Sequence, residues 1–386
     1  MSTFTNLVPN LYAAIDVVSR EPVGGISSVT LDASSSRAAK DQSIYVPIAP
    51  VGAIEDVTPG QLPLDTGDQT IDSVAVVIDK AKQVPFRLTG EDFRGLGFGP
   101  GYDKIRVGQI AQAIRTLTNA VETDIAASHL KACRAFGTAG TTPFATDLSD
   151  IAQVRKILVD NGAPLTDLQL LIDTAAGAQL RSLGILSKAN EAGGTEARAV
   201  GSLLDIYGFS VKESAGIVTF THGTKQGTAT ATAAVSATTV AVTVSAASGD
   251  NFTFLAGDLV SIGGVKYVVA AAATILAGVT ANITIAKPGL KTAASGAALT
   301  LPLGSGVTTS ARNLAFSRNA IVLAARSPAM PEGGDSASDG MQITDPVSGL
   351  TFEFLEYKQT RRVRYEVSLA WGVKVIKPEH LGILLG

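Results

Sequence analysis

The chain has 386 residues, enough for two or three domains with cores of their own. Its formal charge of −3 at pH 7 excludes a globally basic surface, and its single cysteine, Cys133, excludes an intramolecular disulfide framework and fits a reducing compartment. Only 17% of the residues are charged, which suits a protein that buries much of its surface against copies of itself, a trait shared by secreted β-rich proteins.

The N-terminal MSTFTNLVPN has neither a basic n-region nor an apolar h-region, so no signal peptide is expected. Residues 1–40 read as an arm. Leu11, Ile15 and Val18 form a short helical stripe that ends before Glu21 and Pro22. The following GGISSVTLDASSSRAAK is too polar to build a core alone. Two readings stay open: an arm that docks on a neighbour, or a terminal helix packed on its own domain.

Residues 41–90 read as two extended strands with an irregular tip. The first covers Ile44 to Ile48. The second puts Val74, Val76, Ile78, Lys80, Lys82, Val84, Phe86 and Leu88 on one side by period-two alternation. Pro50, Pro59 and Pro63 keep the tip from regular pairing. Such a ribbon is marginal alone and needs a surface to lie against. Lys80 and Lys82 within the apolar face are expected to meet a polar partner. GLGFGPG then precedes a helix, but the spacing is not that of a dinucleotide loop, and a hinge is expected.

Asp103 to Phe136 carries the long apolar stripe Val107, Ile110, Ile114, Leu117, Val121 and Ile125. Asp103 is the expected N-cap and Gly137 the stop; the helix would span roughly 50 Å. Beyond it, helices are expected over Leu148–Asn161 and Ala175–Leu183, and strands over Leu168–Ile172 and Ile206–Glu213, the last with Tyr207, Phe209 and Val211 alternating.

Composition changes from Gly223 to Thr308, where only six residues are charged. Short β-prone runs recur at Thr239–Val244, Asp258–Ile262, Val265–Ala270, Asn282–Ala286 and Ala298–Leu303, as in a small sandwich or barrel. This segment reads as an inserted β domain. Val268–Ala286 is apolar enough to suggest a span, but its Thr, Asn and Gly content argues against a membrane. Asn313–Ala325 is strand-like or helical. PEGGDSASDG follows as a loop in which Asp335 and Asp339 lack cation-loop spacing. In the closing strand Val363, Tyr365, Val367, Leu369, Trp371, Val373 and Val375 face one way, and Arg362, Arg364, Glu366 and Lys374 the other. Phe352 and Phe354 mark its hairpin partner. Arg361, Arg362 and Arg364 are an intersubunit or nucleic-acid patch, or pair across strands with Glu353, Glu356 and Glu366.

His129, His222 and His380 lie in unrelated segments, and no HxxxH, CxxC or carboxylate-rich metal motif appears. No catalytic, cofactor or metal residue is assigned, and Cys133 reads as packing inside the long helix. A non-enzymatic α+β protein is the expectation.

Several stretches in order resemble the coat proteins of tailed phages with the Hong Kong 97-like fold, in the short-tailed type that carries an insertion. They are VPIAPVGAIEDVTPGQ (46–61), GFSVKESAG (208–216), AGDLVSIGGVKYVV (256–269), NLAFSRNAIVLAAR (313–326) and RRVRYEVSLAWGVKVIKPEHLG (361–382). The resemblance implies an N-terminal arm (1–40), an E-loop ribbon (41–90) and a peripheral domain (91–164) with spine helix 103–136. An axial domain (165–218 and 310–348), an inserted β domain (219–309) and C-terminal peripheral strands (349–386) complete it. It implies a major capsid protein that assembles in the host cytoplasm as hexamers and pentamers of an icosahedral virion. The partners implied are a scaffolding protein, a portal and non-specifically held double-stranded DNA, with a decoration protein left open. No cofactor and no membrane are implied. Lys80, Lys82, Arg87, Asp16, Glu21, Arg361, Arg362 and Arg364 are the expected intersubunit contacts. A secreted β-rich adhesin or surface-layer protein, and an α/β enzyme with a β insertion, are the alternatives.

Overall fold

The computed structural model describes residues 24–48, 72–96, 101–184, 205–217, 219–302, 307–345 and 348–386. The expected arm helix with Asp16 and Glu21, the ribbon tip and most of the glycine loop lie outside the described residues. The chain runs through β1 (Thr30–Ala38), β2 (Ser43–Ile48), β3 (Asp72–Val77), β4 (Lys80–Thr89), α1 (Gly90–Leu96) and α2 (Gly101–Ala126). Next come β5 (Arg134–Phe136), α3 (Ser149–Asp160), β6 (Leu168–Ile172), α4 (Thr174–Ser182) and β7 (Phe209–Glu213). The Ala/Thr-rich region forms β8 (Thr219–Thr221), β9 (Lys225–Gln226), β10 (Ala229–Ala233), β11 (Thr239–Val244) and β12 (Asn251–Phe254). It continues with β13 (Leu259–Ile262), β14 (Val265–Val268), β15 (Ala273–Leu276), β16 (Thr280–Thr284) and β17 (Ala294–Thr300). The chain closes with β18 (Thr309–Ser317), β19 (Ile321–Pro328), β20 (Asp339–Thr344), β21 (Thr351–Gln359), β22 (Arg362–Val375) and β23 (Leu381–Leu385).

A six-stranded sheet is built on β22. One edge of β22 pairs with β4 along Arg362–Trp371. The other edge pairs first with β21 and then with β19. β20 and β1 lie outside these, β1 parallel to β19. The alternation read from the sequence sets the two faces. Tyr365, Val367, Leu369 and Trp371 are buried against α2, whose Ile110, Ile114, Leu117, Val121 and Ile125 are also buried. Each such side chain taken from water contributes roughly 1.5–3 kcal/mol, so this face is the main source of cohesion.

A second, twelve-stranded sheet runs from the inserted unit into the body. β14 of the insertion pairs with β5, β5 with β23, β23 with β18, and β18 with β6. The insertion has its own core, including Val240, Val242, Phe254, Val260, Tyr267 and Ile283. It is therefore a separate hydrophobic unit joined to the body by backbone ladders.

Several expectations change. The long helix ends at Ala126 and passes into a 3-10 turn over Ala127–Lys131. His129 Nδ1 donates to the Ala126 carbonyl at 2.9 Å, satisfying a helix-end acceptor, and the chain then leaves to form β5. Cys133 thus lies beside β5 and not in a helix; its amide donates to Leu381 O at 2.9 Å. Asp103 falls inside the helix, because α2 already includes Gly101. Residues 30–38, expected as arm, form the edge strand β1. The second ribbon strand divides into β3 and β4, and only β3 pairs with β2. Tyr207 has φ 51 in a turn and does not alternate with Phe209. Asn313–Ala325 forms parts of two strands in different sheets, β18 and β19, separated by a 3-10 turn. β19 and β20, grouped from sequence with the body at 310–348, belong to the six-stranded sheet, while β23 joins the second sheet. No described helix is long and apolar enough to cross a membrane. Val268–Ala286 contains β15 and β16.

Leu117 is 2% exposed at the centre of the helix–sheet contact. Leu117→Ala is expected to cost about 2–5 kcal/mol, read by denaturant unfolding of the subunit.

Candidate assembly site

The base of the ribbon crosses the face of the six-stranded sheet opposite α2. Ile44, Val46 and Val76 point inward onto Val322, Ala324 and Ala370. Gly372 of β22 makes the crossing possible, because a Cβ there would sit 1.9 Å from Val77 O. The outer side of the ribbon exposes Tyr45 (68%) and Val77 (40%), large apolar groups with no cover among the described residues.

Lys80 and Lys82, expected as intersubunit contacts, are both engaged within the chain on the α2 side. Lys80 forms an ion pair with Asp124 of α2. Asp124 also accepts from Trp371 Nε1 at 2.7 Å, so it ties β4, α2 and β22 together. Lys82 Nζ lies 5.7 Å from the centre of the Trp371 ring. Arg87 faces the other way, directly across from Arg364. Arg361, at φ 58, makes the turn into β22, and Arg362 and Arg87 are exposed. Arg364 bonds Glu366 on its own strand at 2.8 Å. Of the other two acids expected to pair with these arginines, Glu353 is held by Arg37 of β1 and Glu356 lies 3.8 Å from Lys358. The structure thus brings Arg87, Arg361, Arg362 and Arg364 to one end of the sheet and leaves Lys80 and Lys82 at the other.

The described part of the N-terminal region is fastened by Glu122, a residue on the nominally polar side of α2. It is 5% exposed and accepts from Gly25 N (2.9 Å), Ile26 N (2.8 Å) and Ser214 Oγ (2.6 Å). No periodicity signals an internal carboxylate that serves a distant backbone.

A buried polar joint connects the insertion to the body. His222 Nδ1 donates to Asp258 Oδ1 at 3.1 Å, and its Nε2 accepts from Ser310 Oγ at 2.9 Å. Lys225 Nζ is 3.4 Å from the same Asp258 oxygen. His129 and His222, distant in sequence, both make edge contacts with Phe220, and the Arg312 guanidinium lies 4.7 Å from the centre of that ring. Ser310, His222 and Asp258 are connected in the order of a nucleophile relay. However, Ser310 is 2% exposed and the side chains of His222 and Asp258 are 1% and 0% exposed, so no substrate carbonyl reaches Ser310 Oγ. The arrangement is a structural joint.

Its electrostatics follow from burial. Burial pushes His129 down to about 4, against the opposing bond to the Ala126 carbonyl and with help from Arg312. It lowers His222 as well, opposed by Asp258 and assisted by Arg312 and Lys225. Arg312 is brought to about 10 by burial and stays charged at neutral pH. For Asp258 burial works against ionisation, but His222, Lys225 and the amides of Leu255 and Gly223 outweigh it and hold the carboxyl below its usual range. Cys133 is buried and pushed up to about 11, so it is a thiol that packs. Among the described residues no group of three or more His, Cys, Asp or Glu could hold a metal. Asp335 accepts from Tyr357 OH at 2.5 Å, which fastens its loop to β21, and Asp339, the first residue of β20, accepts from the adjacent Gly340 amide at 2.9 Å.

No protein-family model matches the chain, and no curated protein matches it. Solved structures do resemble it. A chain of Mycobacterium phage Che8 is 14% identical, with 96% of this chain and 90% of that chain covered and a TM-score of 0.44. The capsid of the cyanophage P-SCSP1u is 13% identical, with 92% and 86% covered and a TM-score of 0.46. A virus-like particle from Pyrococcus furiosus is 10% identical, with 97% and 98% covered and a TM-score of 0.42.

Two outcomes are expected. Gly372→Ala should displace the ribbon base, seen as faster hydrogen exchange of residues 72–78 with little change in α2. Acid should weaken the subunit. An unfolded histidine titrates near 6.5 and folded His129 near 4, so the unfolded chain binds more protons between these values. The stability contributed by neutral His129, about 3 kcal/mol, is full above pH ~6.5 and lost as pH falls towards ~4. Acid unfolding of His129→Asn should be correspondingly flatter.

Proposed function

We propose that the chain is the major capsid protein of a tailed phage. In this reading, many copies tile a closed icosahedral shell around double-stranded DNA, with no chemical turnover. The observation that carries it is the two-sided six-stranded sheet. A long helix stiffens one face, and a two-stranded ribbon crosses the other and leads to residues 49–71. A rigid plate crossed by a ribbon suits a subunit that must touch several neighbours through contacts that are weak singly and sum over a lattice.

The order of elements supports the same reading: edge strand, ribbon, long helix, mixed body with a β insertion, and closing strand. It is the order of the Hong Kong 97-like coat proteins whose motifs the sequence resembles. On this reading β1, β4 and β19–β22 with α2 form the peripheral domain, and the body around β6 and β18 forms the axial domain. Assembly takes place in the host cytoplasm, with a scaffolding protein and a portal as partners. DNA contact is non-specific, because the shell must accept any genome sequence.

Deleting residues 55–68 between β2 and β3 tests the ribbon's role. The variant should keep the wild-type circular dichroism and thermal transition yet give no shells. Normal shells from the deletion would contradict the reading.

A further inference from the structure

The joint between the insertion and the body holds more positive charge than it neutralises. Arg312 lies on β18, where Ser310, Arg312, Leu314 and Phe316 alternate onto one face. Leu314 and Phe316 belong to the same core as the α2 stripe, so a guanidinium stands at a core position with 0% of its surface exposed. Its Nε and both Nη atoms are buried and have no hydrogen-bond partner among the described residues. A guanidinium carries only donors, and buried donors are nearly always satisfied. Phe220 lies 4.7 Å from the charge but offers it no oxygen.

Asp258 is close enough for its charge to act on Arg312, but its oxygens are already taken. They accept from His222 Nδ1 at 3.1 Å, the Gly223 amide at 3.1 Å and the Leu255 amide at 2.8 Å. Lys225 Nζ, also buried, stands 3.4 Å from the oxygen that His222 uses. Lys225 and Arg312 are near enough to repel each other. His222 Nε2 is occupied by Ser310, and His129, which also touches Phe220, leaves its Nε2 buried and without a partner among the described residues. Burial keeps both histidines neutral at pH 7, so two cations face one carboxylate.

A water molecule accepts hydrogen bonds but leaves the excess charge; a small anion answers both needs. The side chains of His222, Asp258 and Lys225, and the whole of Ser310 and Arg312, are at most 2% exposed, which excludes an extended organic acid. We propose that a small monovalent inorganic anion of the size of chloride binds at Arg312, between the insertion and the body, with Lys225 supplying the second positive charge. The ion ties β18 to the Phe220–Lys225 segment, and it enters and leaves by local opening of the joint. The inference does not depend on the capsid reading.

Thermal unfolding of the full-length chain tests it, at constant ionic strength, with sodium chloride replacing sodium gluconate. Free chloride at about a hundred times its dissociation constant should raise the midpoint by roughly 3–5 °C, and bromide should do the same. Arg312→Met should abolish the shift, and Lys225→Met should raise the chloride concentration needed for it about ten-fold. An equal shift in wild type and Arg312→Met would be a general salt effect and would overturn the proposal. Identical midpoints of the wild-type chain in chloride and gluconate would overturn it too. Equilibrium dialysis of the wild-type chain against radioactive chloride requires no variant to fold. One ion retained per chain and displaced by bromide is expected; no retention would contradict the site.

Discussion

Strand β22 is the constraint on which the rest depends. It must satisfy two different surfaces at once. Its odd-numbered residues from Val363 to Trp371 pack on α2, and its even-numbered residues pass from arginine and glutamate to Ser368, Ala370 and Gly372. The period of two turns this into a plate with an apolar underside and a graded upper side: charged at one end, small at the other. The small end admits the ribbon, with Val77 O against Gly372. The charged end remains open. Asp124 sets the register between plate and helix by holding both Lys80 and the Trp371 indole.

The inserted unit is not tethered loosely. Its β14 extends the ladder of β5, which itself follows the long helix by a few residues. Beside that ladder the joint holds Lys225 and Arg312 against one carboxylate, Asp258, so it carries an excess of positive charge when both histidines are neutral. Such a joint is costly to build and specific in geometry, since every member must be in place for the others to be tolerated. Through Phe220 the joint also contacts His129, just beyond the end of α2.

Much of this was legible in the sequence because it is periodic. The α2 stripe and the β22 alternation follow from spacing alone, but the run from Val74 to Leu88 does not keep to one side: Val76 and Ile78 pack on the sheet face opposite the one that Val84, Phe86 and Leu88 cover. The inserted β unit announced itself by composition. What escaped was decided by partners distant in the chain. The strand character of 30–38 depends on β19, some 290 positions away. The end of the long helix at Ala126 depends on β5 being drawn to β23. Glu122 and the His222–Asp258–Ser310 chain join segments with no local signature. Of the charged residues singled out, the Arg87 and Arg361–Arg364 group was recognisable as basic. Its separation from Lys80 and Lys82 required the register of β4 on β22.

The central claim is that these chains assemble into a closed shell. Sedimentation of the overexpressed protein, with electron microscopy of the fast fraction, tests it most directly. The account predicts closed shells or curved sheets of hexameric units, formed with or without a co-expressed scaffold. A discrete monomer or small oligomer under both conditions would contradict it.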